Sequence, residues 1–236
     1  MPAELSSGQS TIVGVLRRAV LLLMPIVLVL SSVQLILLTA KAWVKIEYKL
    51  PGFPPDPYGF SVEDRLHWAA VDIDFLLNRD DIRYFDQVFL GSGEPMHNER
   101  ELAHMEDVKR LVQVARAAWL VTAALLALLL VVVGRVGGVR ALGEVLAAGS
   151  KATILVMGVL LVGLLLAFGA IFVGFHRVFF EGGTWLFKYS DTFIRLYPER
   201  FWRDVFVLLA AVTVAETGAV YVIARRILAA AARAVG

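Results

Sequence analysis

Four stretches of this chain are apolar for long enough to leave it few choices. Residues 19–40, 117–133, 152–175 and 205–224 are almost free of charge, and about 20 helical residues cross a hydrocarbon core roughly 30 Å thick. The second stretch is short but can extend at its N-terminal end. A soluble domain is closer to half apolar, whereas this chain is 58% hydrophobic with a mean hydropathy of +0.72. The sequence therefore predicts an all-α integral membrane protein with four transmembrane helices. The first stretch follows Arg17-Arg18, and Ala40-Lys41-Ala42 faintly resembles a cleavage site. Its apolar core exceeds the roughly 7–15 residues of a signal peptide, so it is read as a retained span.

Charge placement suggests an orientation. Residues 1–18, 134–151 and 225–236 together carry eight Lys/Arg against two acids, Glu4 and Glu144. The segments 41–116 and 176–204 carry fifteen Lys/Arg and eighteen Asp/Glu. Long translocated segments largely ignore the positive-inside rule, so the short basic set decides. The expectation is a single membrane domain, 1–236, with 1–18, 134–151 and 225–236 cytoplasmic. Segments 41–116 and 176–204 are then extracytoplasmic.

The long outer segment opens on "KLPGFPPDPYGF", too rich in proline for a helix. Ser61 to Asp64 has capping-box spacing and predicts a helix to about Asn78. Asn98 and Glu101 mark a second start, with no breaker before Val133, so one helix is expected to begin outside and continue as the second span. Residues 174–202 carry ten aromatic rings with four positive and three negative side chains. That composition predicts a segment lying in the membrane interface, where Tyr and Trp are at home.

All four histidines, His67, His97, His104 and His176, fall in the outer segments. Glu101 and Asp107 stand three residues to either side of His104, close to one helix face. An acid there can fix a tautomer and hold up a pKa, although a solvated helix stripe has the same spacing and leads on that ground alone. His176 sits among aromatics at the outer end of the third span, a common belt arrangement, with Glu181, Asp191, Arg195 and Arg200 following. Glu216 lies inside the fourth span and is read as structural, held by a local hydrogen bond or by Arg135 or Arg140. Cysteine is absent, which removes disulfides and thiol nucleophiles. The phosphate-binding loop, the Gly-x-Ser-x-Gly elbow and His-Glu-x-x-His are missing too, as is any basic aromatic face for nucleic acid.

"FHRVFFEGGTWLF", "DTFIRLYPERFW" and the upstream "ELAHMEDVK" together resemble the lipoprotein intramolecular transacylase family of bacterial four-span proteins. The matching positions are Phe175, His176, Phe180, Trp185, Asp191, Ile194 and Pro198, with His104, Asp107 and Val108. Gly182-Gly183 departs from the polar pair expected there. The resemblance covers nearly the whole chain and implies a diacylglyceryl lipoprotein as substrate, in the bacterial cytoplasmic membrane. The acyl chain on the glycerol sn-2 oxygen would move to the α-amine of the lipidated cysteine, at the outer leaflet.

Such a substrate brings its own nucleophile and acyl donor, so no cofactor is expected. From amine nitrogen to carbonyl carbon the cyclic intermediate has eight members, and holding it could supply up to about 7–11 kcal/mol. An α-amine of pKa about 7.7–8 must lose a proton, and a histidine is suited to take it. The working assignment makes His104 the base, oriented by Asp107 or Glu101, and His176 the acid or a second base, with the two roles exchangeable. Arg195 is a candidate carbonyl or oxyanion clamp, and Trp185 and Asp191 are supporting positions. The acids of the first loop, Asp72, Asp74, Asp80 and Asp81 among them, are expected to attract the substrate's ammonium. Two rivals stand beside this reading. One is a metal-assisted lipid hydrolase using His104, Asp107 and His176; the other is a non-enzymatic lipid-binding or scaffold protein.

Overall fold

The computed structural model describes residues 7–180 and 182–234; Glu4 and Glu181 lie outside them. The chain runs α1 (Ser7–Leu38), α2 (Ala40–Glu47), α3 (Val62–Leu77), a 3-10 turn (Ile82–Gln87), α4 (Glu99–Phe179), α5 (Thr192–Leu196) and α6 (Glu199–Arg233). The described residues contain no strand beyond one isolated bridge, Phe89 to Pro95. Among the described residues three helices are long and apolar enough to cross a membrane: Thr11–Leu38, Glu99–Phe179 and Glu199–Arg233.

Helix starts follow local chemistry. Ser61 caps α3 and Asn98 caps α4, each in a reciprocal capping box with Asp64 and Glu101, which satisfies orphan N–H groups at both ends of the exchange. The proline run ahead of Ser61 stays non-helical.

The 134–151 segment, expected as a loop, is helical instead. Its single interruption is Gly138, at φ +76°, a conformation that side-chain-bearing residues avoid and a regular right-handed helix cannot contain. No proline or polar cluster was needed to reverse the chain there. That α4 doubles back follows from its ends. His104 and His176 would stand over 100 Å apart along a straight helix at 1.5 Å per residue, yet their rings are 5.9 Å apart.

The chain divides into two compact units. One comprises Met1–Gln34, Arg116–Val162 and Leu208–Gly236. Its core is Val20, Met24, Val27, Leu126, Val133, Ala141 and Val145. Within it Glu216 accepts a hydrogen bond from Ser32 Oγ at 3.0 Å, and neither Arg135 nor Arg140 reaches it, since Arg140 pairs with Glu144.

The second unit comprises Leu35–Ala115 and Gly163–Val207. Its core joins Val44, Phe75, Phe85, Met96, Met105, Phe193 and Leu196 from four helices and the intervening loops. Lys109 of α4 donates to the Phe75 carbonyl at the C-terminal end of α3 (2.7 Å) and lies over the Phe75 ring, a cation placed where the helix dipole favours it.

Candidate active site

Every residue of the candidate site belongs to the second unit. His104 stands six residues into α4 and His176 four residues from its end, so the two ends of one helix deliver the two imidazoles. They stack at 5.9 Å with 22° between planes. Phe180, Phe187 and Phe193 surround His104, at 4.7, 5.4 and 5.8 Å. Phe172, Phe180 and Trp185 surround His176, at 4.2, 5.3 and 5.0 Å. Both histidines are buried.

Their hydrogen bonding differs. His176 Nδ1 lies 2.7 Å from the Phe172 carbonyl oxygen. A carbonyl only accepts, so Nδ1 carries the proton and Nε2 keeps its lone pair. His104 Nδ1 is buried with no hydrogen-bond partner. A buried N–H left unpaired is rarer than an unpaired acceptor, which favours the tautomer protonated on Nε2. Burial holds both rings below the ordinary histidine value. His104 falls to about 4, with the facing His176 as the second cause; for His176 the Phe172 carbonyl partly offsets the loss.

The charged residues singled out from the sequence are committed elsewhere. Glu101 accepts from the Phe193 N–H at 2.7 Å and from the Asn98 N–H at 2.9 Å. Its carboxylate also lies 3.8 Å from His97 Nδ1. Asp107 accepts from Thr184 Oγ1 at 3.4 Å. No hydrogen bond joins either acid to His104, which corrects the expected orienting role. Arg195 is likewise corrected as a carbonyl clamp. Its guanidinium binds Asp56 (Nη2 at 2.9 Å, Nε at 3.2 Å) and sits over the Phe60 ring, with no contact to either imidazole. Asp191 precedes α5 and accepts from the Lys188 N–H and Arg100 Nη2. Trp185 does reach His176. His104, Asp107 and His176 do not form a metal-ligand set, and no group of three or more His, Cys, Asp or Glu able to hold an ion occurs among the described residues.

A buried network that the sequence reading missed shares the Phe193 ring as a neighbour with His104. His97 Nε2 is 2.8 Å from Asp72 Oδ1, and Tyr197 donates to Asp72 Oδ2 at 3.1 Å. Burial works against charge on His97, but Asp72 and then Glu101 overcome it and raise the ring to about 9. Asp72 is therefore no exposed lure for an ammonium group. Asp74 pairs with Lys41 and Asp81 with Arg83. The available signal was Asp72 itself, a charge three residues from Ala69 inside the apolar stripe of α3.

Comparison with known proteins then supplies the family. The family model described as lipoprotein intramolecular transacylase Lit matches residues 19–202. An uncharacterized protein of Aquifex aeolicus (strain VF5) is 29% identical over 174 residues, 70% of this chain and 73% of its own length. Among solved structures, the membrane-integral lipoprotein intramolecular transacylase Lit of Bacillus cereus shares the fold with a TM-score of 0.73 at 18% identity, covering 93% of this chain and 99% of that one. A variant of that protein with a histidine replaced by arginine gives 0.69 at 17%, covering 94% and 96%. With a family match over most of its length and membrane-length helices, this chain belongs to the lipoprotein intramolecular transacylase family and is a membrane acyltransferase.

Proposed function

We propose that the chain moves the sn-2 acyl group of a diacylglyceryl lipoprotein onto the α-amine of its N-terminal cysteine, by acid–base work shared between His176 and His104. The observation that carries this reading is the stacked pair at 5.9 Å inside an aromatic enclosure. The hydrogen bonding supports roles opposite to the working order. His176 Nε2, the free lone pair, is the base. It takes the proton as the C–N bond forms, when the nitrogen becomes far more acidic than the free ammonium. His104, kept neutral, donates Nε2–H to the oxyanion, and such a preorganised donor is worth about 3–4 kcal/mol. A neutral imidazole can polarise a carbonyl in this way. The proton on His176 then passes to the departing glycerol oxygen. Phe180, Phe187, Phe193 and Trp185 exclude water, so that hydrolysis of the same intermediate is suppressed.

The proposed setting is four spans, at about 19–40, 117–133, 152–175 and 205–224. Both termini and the turn at Gly138 face the cytoplasm, and the imidazoles stand at the outer leaflet. The reversal of α4 at Gly138 and the basic short segments support it.

The test is co-expression with a diacylglyceryl lipoprotein and fragmentation of its N-terminal peptide by mass spectrometry. An isomer with a blocked amine and unchanged total mass is expected. A lighter product would indicate hydrolysis, and an unchanged peptide would leave only lipid binding.

A further inference from the structure

The proline-rich entry to the outer segment and α5 enclose a cavity that the chemistry at the imidazoles does not use. It measures about 310 Å³, and Pro54, Tyr58, Arg65, Tyr189, Arg195 and Pro198 are among its lining residues. Its charges do not balance. Asp56, also in the wall, is taken by Arg195. Arg65 is 3% exposed and makes no ion pair among the described residues. Its Nη1 donates to the Pro54 carbonyl at 2.9 Å, its face stacks on Tyr48 and Phe53, and its Nε is buried without a partner. Arg65 is thus fixed in the wall of an open cavity, and two cations there answer one carboxylate. An acidic or carbonyl-bearing ligand is the natural complement.

The wall of the cavity is continuous in chain with the enclosure of the imidazoles. Ile194 and Arg195 directly follow Phe193, whose ring is 5.8 Å from His104. A chain that passes around a helix about 10–12 Å across needs several extended residues at about 3.3 Å each. Prolines and the exposed rings of Tyr58 and Tyr189 offer flat walls of the sort that receive extended chains. A phosphodiester headgroup would match the charge but has no polar backbone to lie along those walls.

We infer that this cavity is the subsite for the peptide that follows the acylated cysteine, and that it favours an extended segment carrying a carboxylate, bound through Arg65. The inference rests on the transacylation reading, and the test separates the two. Three substrates are compared: S-diacylglyceryl cysteinamide, a lipopeptide with Glu at the third position after the cysteine, and the same lipopeptide with Gln there. The wild-type protein is expected to favour the Glu over the Gln lipopeptide by about tenfold in kcat/KM, the worth of one charge-assisted hydrogen bond. In Arg65→Gln that ratio falls to one; a general loss of fold would lower both rates and leave it unchanged. Tyr189→Ser, on the exposed rim, should reduce the advantage of the extended Gln lipopeptide over the cysteinamide. Equal kcat/KM for all three substrates in wild type would overturn the inference, as would loss of the preference on adding phosphatidylglycerol vesicles, which would assign the cavity to a lipid headgroup. Absence of transfer even to the cysteinamide would instead sink the transacylation reading. A fluorescent, unlipidated Glu peptide then decides the subsite by anisotropy, with binding that weakens in Tyr189→Ser supporting it and no binding to wild type overturning it.

Discussion

His176 and His104 stay uncharged near neutral pH because burial, with no carboxylate beside either, makes the cation costly. The proposed base is therefore available over the whole physiological range, while the substrate's amine is not. Between about pH 7.5 and 6.5 the rate should fall with a slope of one, as the amine of pKa about 7.7–8 is protonated. A second unit of slope should set in only at lower pH, because burial holds His176 below the ordinary histidine value; a slope of two across the whole of this range would contradict the assignment. Replacing His176 by Ala should lower transfer by about 10²–10⁴-fold, and His104→Ala by about 10²–10³-fold, read as conversion in the mass-spectrometric assay. Both histidines were legible in the sequence through their flanks. Their missing acid was not. Asp107 has the right spacing, but Thr184, remote in sequence, claims its carboxylate, and helical periodicity carries no information about such a competitor.

At the level of elements, the placement of α5 depends on a charge buried behind it. Glu101 holds the Phe193 N–H, Asp72 holds the Tyr197 hydroxyl, and His97 lies between the two acids. The folded protein binds the His97 proton more tightly, about 9 against an ordinary 6.5. The stabilisation is thus complete below pH 6.5 and is lost as pH rises through about 9. Thermal unfolding in detergent should show a Tm that declines between pH 6.5 and 9, and His97→Gln should lower Tm at pH 6.5 while flattening that decline. The same slope in the variant would show that His97 is not its source. Helix starts at Ser61 and Asn98 could be read from sequence because a capping box is made within four residues. The return of the chain over 134–151 could be read too, from two apolar runs with a short basic segment between them; that the turn takes a single residue within a helix could not, since Gly134, Gly137 and Gly138 mark the region without saying which of them turns.

For the molecule as a whole, orientation is open to direct measurement because the chain has no cysteine. Single replacements at the exposed positions Ser92 and Val139 introduce one thiol each. A membrane-impermeant maleimide applied to intact cells should label Ser92→Cys and spare Val139→Cys, with both labelled after permeabilisation; the opposite pattern would invert the proposed topology. Four apolar runs gave away the class of fold, since length against bilayer thickness is a constraint visible in one dimension. Which outer residues meet is decided by the three-dimensional return of α4, and no run of letters records it.

That return makes the candidate active site an exercise in counting. His104 lies 34 residues before Gly138 and His176 lies 38 after it, with no slack loop at the turn to absorb an error. Each residue inserted in one leg advances its imidazole by about 1.5 Å and swings it by about 100°. A single alanine added after Val139 would leave hydropathy, charge and both histidines intact, yet carry one ring out of phase with the other.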